Sequence, residues 1–240
     1  METINFYTLD KVKKFLPKIK DDQVKYTGMP LHQHILICGS TGSGKSNTLQ
    51  NYIYLTSLPD ETKGTYKKIF FCCMKEEPFN RFLKDQLKDD IVFYQGLSFF
   101  PSVDEFPDLS EKNKDNFLVI FDDVVNEKST ASLNKIKQYF TYARSKGITC
   151  IFLTQSYFDT NLFVRKNISW VILCGISSNK DLIRILKEHN LDLTKDQLLN
   201  MYNYAKEPRK KDEINFLKIC CYECPKNKRF SRNFLDYLND

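Results

Sequence analysis

The run GSTGSGKS, Gly39 to Ser46, constrains this chain more than any other feature. It fits G-x-x-x-x-G-K-[ST] at every fixed position, with the apolar run HILIC ending at it and a helix-like run beginning at Lys45. Phosphates repel one another and need many donors packed closely. Glycines at 39, 42 and 44 remove side chains, so backbone N–H groups can converge on one anion. The following helix presents its positive end to the same point. The pattern predicts that Gly39, Ser40, Thr41, Gly42, Ser43, Gly44, Lys45, Ser46 and Asn47 surround the phosphates of ATP. Lys45 would reach the β- and γ-phosphates, and Ser46 would offer a hydroxyl to Mg²⁺.

A loop of this kind needs a strand before it and a sheet around it. HILIC (His34–Cys38), KIFFCC (Lys68–Cys73), IVFY (Ile91–Tyr94), FLVIF (Phe117–Phe121), TCIFLT (Thr149–Thr154), WVILC (Trp170–Cys174) and NFLKICC (Asn215–Cys221) read as strands. Most are continuous apolar runs, as expected of strands buried on both faces. Helix-like stretches lie between them: Lys45–Thr56, Pro78–Lys88, Leu133–Arg144, Lys180–His189 and Thr194–Lys206. Strand and helix alternating in this way predict a mostly parallel sheet flanked by helices on both faces, an α/β fold. Ser98–Asn116, with two prolines and many charges, reads as the most loop-like stretch. A 240-residue chain suits one core. Residues 34–240 are expected to form a single domain, with residues 1–33 as an N-terminal segment packed on an edge.

Two further segments carry chemistry. FLVIFDDV, Phe117–Val124, ends a buried strand in Asp122 and Asp123. Carboxylates at the carboxyl end of a parallel strand share a sheet edge with the phosphate loop. Asp122 is expected to hold Mg²⁺ and Asp123 to orient or deprotonate the attacking water. TCIFLTQSYF ends another strand in Thr154-Gln155, where an amide can sense the γ-phosphate or the lytic water. Charge developing on the γ-phosphoryl group can be offset by an arginine. Arg144, in YARSKGI, and Arg165, in LFVRKN, are the candidates, each able to serve across a subunit interface.

Composition excludes several classes. Hydrophobic residues at 42% and charged residues at 28%, with 19 Phe and 13 Tyr, rule out global disorder. No apolar run reaches the roughly 18 residues of a membrane span. With no signal-like N-terminus the chain is expected to be soluble and intracellular, and its eight cysteines to be reduced thiols, most of them in strand-like runs. Cys221 and Cys224 make one CxxC, too few ligands for a structural zinc site. The net charge of +6 is concentrated late: residues 206–232 hold nine basic and four acidic residues, an attraction for polyanions such as nucleic acid.

GSTGSGKSNTLQ, FLVIFDDV, the ARSKGI segment and LTQSYFDTNLFVRKN together resemble the viral genome-packaging ATPases of poxviruses, other large DNA viruses and virophages, a group within the FtsK/HerA superfamily. The resemblance spans roughly residues 34–175 and is weaker at RFSRNFLDYL. It implies a P-loop NTPase core of the additional-strand type, a homo-oligomeric ring around double-stranded DNA, and ATP-driven translocation into a preformed capsid. By the same resemblance Gln155 is the sensor and a basic residue acts in trans; capsid vertex proteins are implied partners, and host cytoplasm, viral factory or the virion the setting. The Asp122-Asp123 pair agrees with the viral group and departs from the commoner Asp-Glu pattern. Two other readings remain open at this point. One is a small-molecule kinase, such as a nucleoside or nucleotide kinase; the other is a non-catalytic subunit held together by ATP.

Overall fold

The structure, a computed structural model, describes Asp10 and residues 24–57, 65–110, 112–124, 129–189, 193–211, 213–222 and 224–238. Six parallel strands form its centre: β1 (His34–Gly39), β2 (Lys68–Cys73), β3 (Ile91–Gln95), β4 (Phe117–Asp122), β5 (Ile148–Thr154) and β6 (Trp170–Gly175). Three antiparallel strands extend it: β7 (Leu217–Cys220), β8 (Phe230–Arg232) and β9 (Asp236–Tyr237). The order across the sheet is β3-β2-β4-β5-β1-β6-β7-β8-β9. Strand β5 therefore lies between β1, which feeds the glycine loop, and β4, which carries the paired acids. Register aligns His34 with Cys150 on one side of β5, and Phe117 with Ile148 on the other.

Successive side chains of a strand point to opposite faces, so each buried strand feeds two cores. From β1, Ile35 and Ile37 face Leu49, Tyr52 and Ile53 of helix α2 (Lys45–Ser57) and Leu83 of α3 (Pro78–Leu87). Helix α1 is the short turn Val24–Thr27. Leu36 and Cys38 face the other way, against α4 (Thr130–Tyr142), α5 (Leu162–Asn167), α6 (Asn179–Glu188) and α7 (Lys195–Lys206). The expected helix-sheet-helix layering is thus realised. Burial on both faces also explains why the strand sequences are continuous apolar runs. Cys38, Cys72, Cys73, Cys150, Cys174 and Cys220 are buried within it, and all eight cysteines are free thiols.

Several local expectations need correction. Residues 97–110 lack long elements, yet they are not a loose loop. Leu97, Phe100, Val103 and Phe106 are buried, with Phe100 5.3 Å from Phe121 and Phe106 5.2 Å from Phe117, ring centre to ring centre. A Ser102/Glu105 capping box pins a turn of 3-10 helix at Val103–Glu105. Helix α5 occupies LFVRKN, where no helix was expected. Strands β8 and β9 occupy RFSRNFLDYL, and β7 is shorter than the run Asn215–Cys221. Of the segment 1–33, residues 1–9 and 11–23 lie outside the described residues. Residues 24–33 enter the core: Met29 is fully buried, and the His32 amide donates to Thr149 Oγ1 at 2.9 Å.

Candidate active site

The carboxyl ends of β1, β4, β5 and β6 meet along one sheet edge, and the glycine loop turns over them. The Ser40 amide donates to the Gly175 carbonyl at 2.8 Å, and the Ser43 amide to the Ser40 carbonyl at 3.1 Å. Gly42 and Gly44 have φ of 75° and 96°, the left-handed region that favours glycine. A Cβ on Gly39 would lie 2.4 Å from Ser43 Oγ, and one on Gly175 would lie 3.0 Å from Ser43 Cβ. The Ser43 side chain is thus wedged between two bare backbones. Lys45 Nζ reaches back across the loop to the carbonyls of Gly39 at 2.7 Å and Ser40 at 3.2 Å. The amide of Thr48 donates to the Gly44 carbonyl at 2.8 Å, so the helix α2 ladder starts inside the loop.

Facing the loop is a polar chain that crosses three strands' ends. Thr41 Oγ1 donates to Gln155 Oε1 at 3.1 Å, and Gln155 Nε2 donates to Asp123 Oδ2. Asp123 itself has φ 54°, and its amide donates to the Leu153 carbonyl at 3.2 Å. That left-handed turn breaks β4 after Asp122 and lets the two adjacent carboxylates diverge, one aligned with the strand and one toward Gln155. Burial pushes the Asp122 carboxyl up to about 6, reinforced by Asp123 and Glu77 and opposed by Lys45. The sequence-predicted residues Thr41, Asp123 and Gln155 are therefore joined in one hydrogen-bonded unit, and Lys45 acts electrostatically on Asp122.

The two arginines are not part of this cluster. Arg144 lies in a 3-10 turn at Ala143–Lys146, at the start of β5, whereas Gln155 follows the end of the same strand. Its guanidinium donates to Ser169 Oγ at 2.8 Å, ahead of β6. It is thus exposed at the sheet edge opposite its own phosphate loop. Arg165 on α5 is tied down: it pairs with Glu188 at 2.9 Å and stacks over Tyr157 and Phe158.

Residues that sequence reasoning missed close the site from other segments. Gly175 and Ser177 support the loop, the latter accepting from Ser40 Oγ at 3.1 Å. Glu77 stands at the N-cap position of α3, beyond β2 and beside β4, with its side chain free of the helix end, and acts on Asp122. The signal for Glu77 was present in KIFFCCMKEEP, where acids again follow a strand end. Nothing in sequence marks Ser177, because its role depends on β6 lying beside β1.

A parallel sheet with an extra strand between the phosphate-loop strand and the acid-bearing strand is the additional-strand form of the P-loop NTPase fold. The chain belongs to the poxvirus A32 protein family, whose profile matches residues 25–224. Among solved structures, it is similar to the DNA-packaging ATPase B204 of Sulfolobus turreted icosahedral virus. That match has a TM-score of 0.58 at 15% identity and covers 85% of this chain and 98% of that one. The genome packaging NTPase B204 of Sulfolobus turreted icosahedral virus 2, solved with AMPPCP, matches with a TM-score of 0.57 at 15% identity, over 84% and 96% of the two chains. The conjugation coupling protein TcpA of pCW3, solved with ATPγS, matches with a TM-score of 0.52 at 15% identity, over 87% of this chain and 61% of that one. No curated protein matches the chain in sequence. Among the described residues, no helix is long and apolar enough to cross a membrane.

Proposed function

We propose that this chain is an ATP-hydrolysing motor that drives double-stranded viral DNA into a preformed capsid. The observation that carries the ATPase reading is the Thr41–Gln155–Asp123 chain, which links the phosphate loop to the acid pair through the inserted strand. Family membership and the fold shared with a DNA-packaging ATPase support the packaging reading. Nothing observed favours the kinase alternative.

The donors at the loop suit Mg²⁺. Ser46 offers a hydroxyl at the start of α2, Asp122 a carboxylate, and hard oxygen ligands are what this ion takes. The crowding of Asp122, Asp123 and Glu77 is relieved by a cation beside them. Ser46 and Asp122 would hold it, and when bound it neutralises charge across the β- and γ-phosphates. Backbone amides of residues 39–47 and the Lys45 ammonium bind the triphosphate. Gln155, fixed between Thr41 and Asp123, orients the lytic water, and Asp123 accepts its proton as oxygen attacks the γ-phosphorus. The bond to the β-bridging oxygen then breaks, giving ADP and phosphate.

Arg144 is the proposed trans-acting cation: exposed and remote from its own loop, it would act on the nucleotide of a neighbouring subunit. Arg165, held by Glu188, is the weaker candidate. That arrangement goes with a homo-oligomeric ring of single ATPase domains, residues 34–240, docked on capsid vertex proteins in the host cytoplasm or viral factory. The test is steady-state hydrolysis with duplex DNA of increasing length. Turnover rising with duplex, and abolished in Lys45→Ala, is expected. Turnover indifferent to DNA would overturn the motor, and phosphoryl transfer to nucleosides in place of water would restore the kinase.

A further inference from the structure

Beside the phosphate loop, a cleft of about 290 Å³ opens between α2 and the chain entering and leaving β7–β8. Asn47 and Asn51 line its helical side, and Ile214, Phe216 and Phe234 its apolar side. The apolar wall is fixed. Phe216 and Phe234 are buried and pack edge to face at 5.0 Å, and Ile214 overhangs Gly44, where a Cβ would meet its Cγ2 at 2.7 Å. Asn233, also on the wall, turns its amide inward: its Oδ1 accepts from the Phe216 amide at 3.2 Å and its Nδ2 donates to Asn215 at 3.1 Å.

The helical side is different, because its amides are oriented but not used up. Asn51 Nδ2 donates to the Asn47 carbonyl at 2.9 Å and to Asn47 Oδ1 at 2.7 Å. A backbone carbonyl can only accept, so the Asn51 nitrogen faces the helix and its Oδ1 faces out. Asn47 Oδ1 is then the accepting atom, which leaves Asn47 Nδ2 as an outward donor. The pair is one turn apart on α2, with the donor nearer the phosphate loop and the acceptor farther from it.

We infer that this cleft is a nucleobase site selective for adenine, read on its N7/N6 edge by Asn47 and Asn51. The inference rests on the ATP reading above and extends it to the base. A nucleotide whose phosphates lie in the loop passes Asn47 before Asn51. On a purine, N7 lies nearer the ribose than the group on C6. Asn47 Nδ2 therefore donates to N7, and Asn51 Oδ1 accepts from the adenine 6-amino group. Guanine also presents N7 but carries a carbonyl oxygen at C6. It would set that oxygen against Asn51 Oδ1, acceptor against acceptor. Ile214 and the two phenylalanines supply the flat apolar contact that either base needs, so the amides alone discriminate.

Competition binding with the full chain tests this, using the Mg²⁺ forms of ATP, GTP, 7-deaza-ATP, purine riboside triphosphate and inorganic tripolyphosphate. ATP is expected to bind about tenfold or more tighter than GTP, the discrimination of one good bidentate pair. Purine riboside triphosphate should be weaker than ATP, for want of the amino group, and 7-deaza-ATP weaker for want of N7. Asn47→Ala should abolish the penalty for 7-deaza-ATP, and Asn51→Ala the penalty for GTP, with Asn51→Ala binding tripolyphosphate as the unmodified chain does. ATP and GTP binding equally, with tripolyphosphate binding intact, would overturn the base site and leave the phosphate site standing. Failure to bind tripolyphosphate or ATP at all would overturn the phosphate cradle, and the base site with it.

Discussion

In the proposed mechanism Gln155 acts through two hydrogen bonds, not through charge. It is a neutral amide between a loop hydroxyl and a carboxylate, so replacing it removes alignment and leaves the phosphate-binding amides in place. Gln155→Ala is expected to lower kcat by about 10²-fold, in the range for loss of positioned proton-transfer groups, with KM for ATP little changed. A raised KM with kcat unchanged would show instead that the amide serves binding. At the other end of the sheet, His34 sets a pH limit on stability. Its Nδ1 lies 2.9 Å from the Asn167 carbonyl, its Nε2 is buried without a partner, and Phe140 packs 5.0 Å away. Burial, with Arg144 nearby and against the Asn167 bond, lowers its pKa from 6.5 to about 4. The unfolded chain therefore binds the proton more readily between those values. Stability contributed by neutral His34 is complete above the unfolded pKa and is lost as pH falls toward the folded one, at roughly 1.4 kcal/mol per unit at the steepest. Asp122, raised to about 6, titrates in the opposite sense across the same window, so the His34 contribution is read as a difference: in thermal melts the unmodified chain should lose stability relative to His34→Leu as pH falls from 6.5 toward 4.

Helix α7 shows how an element remote from the phosphates governs the loop that holds them. Thr194 and Gln197 form a capping box at its start, with the Thr194 amide donating to Gln197 Oε1 at 2.9 Å. Farther along, Tyr202 Oη accepts from the Ile176 amide at 3.0 Å, and Lys206 Nζ donates to the carbonyls of Cys174 and Asn215. Those contacts fix the end of β6, where Gly175 and Ser177 brace Ser40. Thr194→Ala is expected to destabilise the chain by about 1 kcal/mol, a fall of about 2–4 °C in Tm. At this scale the sequence was readable wherever a strand is buried on both faces, because such runs are continuous and short. β8 escaped because Ser231 and Arg232 are buried polar residues in a strand, the latter paired with Glu213 at 3.0 Å, so no apolar run marks it. The glycine loop, the acid pair and Gln155 were legible because each joins a fixed residue type to a strand end. Gly175, Ser177, Ile214 and the outward amides of Asn47 and Asn51 were not, since their roles arise only when β6 packs beside β1 and β7 beside β6.

Charge reads differently on the folded molecule than along the chain. The basic excess of residues 206–232 marked an attraction for polyanions, but part of it is buried or already paired. Lys218 is fully buried, with its Nζ donating to the Thr27 carbonyl at 2.9 Å; Arg232 pairs with Glu213, and Arg209 with Asp236 at 3.1 Å. Of the remainder, Lys210 and Lys211 precede β7, on the edge that carries the phosphate loop. Lys226 and Lys228 follow it, on the opposite edge, where Tyr222 packs against Trp170 at the start of β6. The pair Lys226 and Lys228 is exposed and far from the nucleotide, so reversing it can alter DNA binding without touching hydrolysis. Lys226→Glu with Lys228→Glu is expected to leave DNA-free turnover unchanged and to weaken stimulation by duplex of any sequence. It should also reduce the slope of log affinity against log salt by about 2, one for each lost phosphate contact. If stimulation and slope both survive that double reversal while Lys210→Glu with Lys211→Glu removes them, the duplex runs along the nucleotide edge instead.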